Sequence, residues 1–388
     1  MKLTVLGAGA IGSAVAYDLA RCEEVTRVQV CETQPVTLRA FRAAFAHPKI
    51  RTYEADARDT QTLEPILAGS SCVISCIGPE HNGRLARMAI GLGAHFVDLG
   101  SPEGVRAQTE TLAEQAERRQ RWVVTGCGLS PGLVGVLTMR GVDRLATART
   151  VRIRVGDVPI EPSGPFYHRL AHSAERLLDD YTEPASVLRN GTVETRTPLT
   201  GIETVEVEGF GTMEAFFAEH GTRPLVEALA GRVDHLDVKT LRYPGHAERM
   251  QFVIDLGLAE KTSLDVRTHL TYRDVLARRL KQRLGGPYQD AVIVRVEIEG
   301  RDADGADGTL VYEVVDRLDP EAGLTAMQRC TGYPAAVAAV LLSQHTLPGG
   351  GVGPADQVMP CEPFVSRLEA RGIAVEERWE PAGVPEAA

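Results

Sequence analysis

Over the first third of the chain, short apolar runs alternate with stretches of helical periodicity. Residues 2–6 (KLTVL) form a β-type run, and apolar positions at 11, 14, 15, 16 and 19 then follow a helical spacing. The pattern recurs. Apolar runs at 25–31, 50–54, 72–77, 95–99 and 122–125 are separated by helical stretches at 59–68, 83–91 and 108–120. Six strands alternating with helices predict an α/β fold with a parallel, doubly wound sheet. After residues 128–132 (GLSPG) the alternation stops. Residues 151–158 alternate with period two, and 173–181 read as a short helix. Asn190-Gly191 marks a tight hairpin, followed by alternating runs at 193–197 and 203–210. A second hairpin joins 291–299 to 309–316. This region reads as an α+β domain. The apolar stretch 331–342 reads as a buried helix by which the chain returns to the first domain. The expected division is therefore residues 1–129 plus 325–388 against an inserted domain at 130–324. The tail after Glu376 is expected to be disordered.

The first strand–helix junction carries Gly7-Ala8-Gly9-Ala10-Ile11-Gly12. A G-x-G-x-x-G between a strand and a helix is the dinucleotide-binding fingerprint, so the first domain is read as Rossmann-type. Gly7 permits the tight turn, Gly9 lets the backbone approach a pyrophosphate, and Gly12 allows close packing of helix on strand. Glu32 ends the second run, where a carboxylate accepts hydrogen bonds from ribose hydroxyls and repels a 2′-phosphate, so the expected cofactor is NAD. The carboxyl ends of the other strands nominate further positions. Asp56 and Ala57 fall beside the adenine, or Asp56 is a helix cap. Cys76-Ile77-Gly78 face the cofactor, and Asp98-Leu99-Gly100-Ser101 lie near the nicotinamide.

Composition narrows the class. An apolar content of 44 % suffices for two cores, and a net charge of −10 argues against nucleic acid or an anionic membrane as partner. Seven cysteines form no C-x-x-C pair and no metal-ligand spacing, which points to a reducing, cytoplasmic compartment and to no bound metal. The apolar N-terminus is interrupted by Gly7, Gly9 and Gly12 and is explained as strand, turn and helix rather than as a signal peptide. No run reaches the ~18 residues of a membrane span.

Polar and aromatic residues crowd four segments of the second domain: 166–173 (FYHRLAHS), 179–181 (DDY), 220–223 (HGTR) and 240–246 (TLRYPGH). With GAGAIG (7–12), DLG (98–100), GLSPGL (128–133), DDYTEPASVLRNGTV (179–193), FGTMEAF (210–216), TLRYPGHAERM (240–250) and RCTGYPAA (329–336), the chain resembles the saccharopine dehydrogenase-like family, and within it the L-lysine 6-dehydrogenases. The resemblance implies NAD-dependent oxidative deamination of the ε-amine of L-lysine, by a homo-oligomer. The product semialdehyde would cyclise to a piperideine carboxylate. Two positions depart from the lysine dehydrogenase pattern: Gly126, where Asp is usual, and His172, where Trp is usual.

Hydride loss from a carbon bearing an amine requires that amine to be neutral, and a lysine ε-amine has a pKa of ~10.4. His172 is the candidate base, with Asp98 its rival and the better placed to hold the ammonium. The distal carboxylate wants a planar bidentate partner. Arg223 and Arg242, each beside rigid neighbours, are the expected anchors, with Arg169 behind them. Tyr181 and His246 complete the expected substrate contacts. Two other readings stand beside lysine deamination. One is oxidation of a secondary amine such as saccharopine or a carboxylated polyamine, which predicts a larger pocket with a second anion anchor. The other is a non-catalytic NAD-binding regulator.

Overall fold

The computed structural model describes residues 1–100, 103–170, 173–265, 269–286 and 288–382. It divides into one unit of Met1–Arg140 with Gln328–Ile373, and a second of Gly141–Met327 with Ala374–Ala388.

The predicted alternation becomes a parallel sheet of β1 (Lys2–Leu6), β2 (Arg27–Glu32), β3 (Ile50–Glu54), β4 (Cys72–Ser75), β5 (His95–Asp98) and β6 (Trp122–Thr125). A strand not expected from the sequence, Gly351–Pro354, adds beside β6. Across the sheet the order is Gly351–Pro354, β6, β5, β4, β1, β2, β3, with every pairing parallel. Leu3, Val5, Val28, Val30, Val73 and Ile74 are fully buried, as expected of strands covered on both faces. The winding reverses between β1 and β4, where sheets of this kind open a crevice at their carboxyl edge. The extra strand escaped notice because glycine reads against strand. Here glycine is needed, since a Cβ on Gly350 would fall 2.5 Å from the Ala116 carbonyl oxygen and 2.6 Å from the Arg121 nitrogen. The helix expected at 108–120 is two, Glu103–Glu110 and Ala113–Arg118, parted where Leu112 turns into the core.

The second unit is built on a mixed sheet. Its strands are β7 (Thr147–Pro159), β8 (Ala185–Arg189), β9 (Thr192–Arg196), β10 (Glu203–Val207), β11 (Gly211–Phe217), β12 (His235–Arg242), β13 (Asp290–Arg301) and β14 (Asp307–Arg317). The main path runs β10, β11, β12, β7, β13, β14, with β8 and β9 branching from β12. Among the described residues of this sheet, only β12 and β7 pair in parallel. Asn190 and Gly191 both take positive φ (50° and 74°), the turn their sequence predicts. Alternation sends Met213, Ala215 and Leu241 to one face, where they meet Val158 and Ile293. Phe216 points to the other, beneath helices Ala174–Asp180, His246–Asp255 and Tyr272–Leu284.

The tail is not disordered where it is described. Glu376–Pro381 is a strand antiparallel to β14, from Glu376 opposite Glu313 to Pro381 opposite Gly308. Trp379 packs so tightly over Gly308 that a Cβ there would lie 2.4 Å from its ring. Charge-rich composition concealed a strand whose one large apolar residue is the part that packs. Among the described residues, no helix is long and apolar enough to cross a membrane, and no group of three His, Cys, Asp or Glu is placed to hold a metal.

Candidate active site

The turn after β1 has the shape of a phosphate cradle. Gly7 sits at φ +97°, and a Cβ on it would meet Ile77 Cγ2 at 2.8 Å and the Cys76 carbonyl oxygen at 2.9 Å. A Cβ on Gly12 would fall 2.0 Å from the Gly7 carbonyl oxygen. Gly9 has nothing within 4 Å of that position, so this side of the turn is open. Ala10 and Ile11 begin the helix Ala10–Arg21, which has no side-chain cap and no acidic residue in its first turn. Its leading N–H groups and its dipole are thus available to an anion. The cradle fits a dinucleotide pyrophosphate.

Glu32, at the end of β2, closes one wall of an adjoining pocket of about 210 Å³. Its Oε1 accepts hydrogen bonds from the backbone N–H groups of Thr33 (2.8 Å) and Gln34 (2.9 Å), and its Oε2 from Ala8 N–H (2.9 Å). Oε2 accepts a single hydrogen bond here, so it retains acceptor capacity for a ribose hydroxyl. Asp56, Ala57, Ile77 and Gly78 line the same pocket, as do Arg58 and His81. Asp56 is not the helix cap: Asp59 accepts from Gln61 and Thr62 N–H at the start of Thr60–Leu67. Asp56 instead pairs with Arg58 at 2.7 Å, whose hydrogen bonds hold its carboxyl down to about 2. The Cys76 carbonyl packs against the turn at Gly7, and burial pushes the Cys76 thiol up to about 12, so it stays protonated.

Asp98 is fully buried at the end of β5. Its Oδ1 accepts from Gly100 N–H at 2.9 Å and Gly126 N–H at 2.8 Å, and its Oδ2 from Asn82 Nδ2 at 3.1 Å. Asn82 Oδ1 accepts in turn from Ser75 Oγ at 2.7 Å. This carboxylate ties together the loops after β4, β5 and β6 as a brace. Gly126 takes φ +67°, and a Cβ on it would lie 2.8 Å from Pro131 Cγ. The Asp usual at that position therefore cannot be seated against Pro131. Ser101 and His172 lie outside the described residues.

The second unit gathers several of the expected substrate residues into one buried chain of hydrogen bonds. Phe166 carbonyl accepts from His246 Nδ1 (2.8 Å), which leaves His246 Nε2 to accept from Tyr181 OH (3.0 Å). The Tyr181 hydroxyl accepts from Arg242 Nε (3.2 Å), and Arg242 Nη2 pairs with Asp157 Oδ1 (3.1 Å). Burial pushes His246 down to about 3 and Tyr181 up to about 12, so both are neutral across the physiological range. Asp157 was missed by sequence reasoning, although a charge inside the apolar run 151–158 could have flagged it. Beside this chain, Asp180 pairs with Arg176 at 2.8 Å, and Arg176 also reaches Glu219 at 2.8 Å. Burial pushes the Asp180 carboxyl up to about 7 against the pull of Arg176.

Two expected anchors prove otherwise engaged. Arg223 opens the helix Arg223–Leu229, half exposed, and pairs with Glu227 one turn on at 2.7 Å. Arg242 is turned inward onto Asp157. Arg169 is half-buried, and its charge acts on the hydroxyl of the half-buried Tyr288.

Comparison with known proteins places this geometry. Residues 3–124 match the family described as Saccharopine dehydrogenase NADP binding domain, and residues 128–373 match Saccharopine dehydrogenase C-terminal domain. A carboxyaminopropylagmatine dehydrogenase of Synechocystis is 20 % identical, covering 96 % of either chain. Among solved structures, saccharopine dehydrogenase (L-Glu forming) from Saccharomyces cerevisiae superposes with a TM-score of 0.81 at 18 % identity, over 97 % of this chain and 99 % of that one. Homospermidine synthase from Legionella pneumophila, in complex with NAD, superposes with a TM-score of 0.68 at 11 % identity, over 100 % and 95 %.

Proposed function

The chain belongs to the saccharopine dehydrogenase family and is a nicotinamide-dependent dehydrogenase of amines, and on that premise we propose that it takes NAD and oxidises the carbon bearing the ε-amine of L-lysine. The observation that carries the substrate class is the buried chain from His246 through Tyr181 to Arg242 and Asp157. Its Tyr181, Arg242 and His246 come from the segments 179–193 and 240–250, which carry the resemblance to lysine dehydrogenases. Glu32 supports NAD over NADP, since a 2′-phosphate would meet a carboxylate already fixed by three backbone N–H groups.

The cradle at Gly7–Gly12 would hold the pyrophosphate of NAD, whose nicotinamide ring would supply the hydride acceptor. The protein's own task is to deprotonate the ε-ammonium and hold the carbon in place. His172, just before the Ser173 that caps helix Ala174–Asp180, is the proton acceptor we propose. The brace at Asp98 fixes the loops at the carboxyl edge of the sheet. Water then adds to the iminium, ammonia leaves, and the semialdehyde cyclises.

A second reading, oxidation of a secondary amine, is favoured by the names of the relatives, which include saccharopine and carboxyaminopropylagmatine dehydrogenases. One experiment separates the two. The protein is incubated with NAD and either L-lysine or saccharopine at alkaline pH, and both NADH and free ammonia are measured. Lysine deamination yields the two in equal amounts from lysine alone. NADH from saccharopine without ammonia would replace it with the secondary-amine reading. NADH from neither would sink both.

A further inference from the structure

Arg249 has no part in the site as described so far. It lies in helix His246–Asp255, one turn from His246. Its Cζ stands 4.3 Å from the centroid of the Tyr167 ring, and its Nη1 is buried without a hydrogen-bond partner among the described residues. The guanidinium lies over Gly245, with Cζ and Nη1 3.7 Å and Nη2 3.8 Å from where a Cβ on that residue would stand. Glu214, the carboxylate that caps this helix, is committed to the N–H groups of Gly245 (2.8 Å) and Ala247 (2.7 Å). A guanidinium N–H kept from water without an acceptor is costly, and a native protein tolerates it where a ligand will satisfy it. Stacking on tyrosine holds the fork in one plane while leaving its in-plane donors free. Arg249 also lies near enough to His246 to act on it electrostatically.

We propose that Arg249, braced by Tyr167, is the anchor for a carboxylate of the substrate, the role that sequence reasoning assigned to Arg223 and Arg242. The inference rests on the reading that the substrate amine carries a carboxylate. A planar fork with unspent donors matches a carboxylate in two parallel hydrogen bonds, which Arg242, spent on Asp157 and Tyr181, cannot offer.

The test uses the full chain saturated with NADH and glutarate as a probe that carries carboxylates but no amine. Binding is followed by calorimetry in wild type, Arg249→Met, Arg249→Lys and the exposed-surface control Arg278→Met. Glutarate affinity should fall about tenfold or more in Arg249→Met, recover in part in Arg249→Lys and stay unchanged in Arg278→Met. Melting temperature and NADH affinity serve as fold checks. If Arg249→Met does not fold, Tyr167→Leu replaces it and should weaken glutarate severalfold. Equal affinity in wild type and Arg249→Met, or no glutarate binding to wild type, overturns the anchor. So does lysine turnover with a KM unmoved by Arg249→Met. A wild type that oxidises no amine yet discriminates glutarate through Arg249 keeps the anchor and removes the amine reading instead.

Discussion

Arg242 shows how little the neighbours of a residue in sequence say about its partners in space. A guanidinium has five N–H donors. Here Nε donates to Tyr181 OH, Nη1 to the carbonyls of Asp157 and Leu241, and Nη2 meets Asp157 Oδ1, which leaves one. Rigid neighbours in the sequence mark an arginine held in place, but they are the same for an internal ion pair and for a ligand anchor. What distinguishes them is the partner, Asp157, which lies 85 residues away. Tyr181→Phe should strand both Arg242 Nε and His246 Nε2, at a cost of about 1–3 kcal/mol in urea unfolding, while NADH affinity in the other unit stays unchanged. Asp180 gives a prediction with a sign. Its carboxyl rises from 3.8 to about 7 on folding, so within that window the folded chain keeps a proton that the unfolded chain has lost. Stability contributed by this group is therefore full at acid pH and falls as pH climbs through the window. Asp180→Asn removes the slope. Unfolding midpoints of variant and wild type, compared at pH 5 and pH 8, should shift in the variant's favour at the higher pH; a constant difference would refute the assignment.

Elements whose own periodicity sufficed were legible, and the Gly-rich turn with its helix is the best case. Only the structure separates the duties of its glycines. Gly9 has φ −68° and open space where a Cβ would stand, so Gly9→Ala should leave the melting temperature unchanged and weaken NADH binding. Gly12 faces the Gly7 carbonyl, so Gly12→Ala should lower both. Thermal melting together with a fluorescence titration of NADH tests the pair, and equal behaviour of the two variants would refute the division. The elements that were missed share a cause. Gly351–Pro354 and Glu376–Pro381 lack the β-branched alternation that marks a strand, because each is an edge defined by its neighbour: the first by β6, the second by β14. Their strand character is tertiary, and local sequence does not carry it. The helical break at Leu112 is of the same kind.

At the scale of the whole molecule, Glu376–Pro381 covers the backbone edge of β14. A chain ending at Ala374 should expose that edge, lower the unfolding midpoint and aggregate more readily, as light scattering during heating would report. An unchanged, monodisperse truncated protein would show the strand to be dispensable. The same connectivity has a consequence in time. The first unit needs residues 328–373, and the second is finished only by the strand that follows them. A chain leaving the ribosome from its N-terminus can normally complete one domain before the next is made. Here neither sheet can gain its last strand until residues 351–381 have emerged, so both units reach their final form late and close together, and the nascent chain carries two open sheet edges until then.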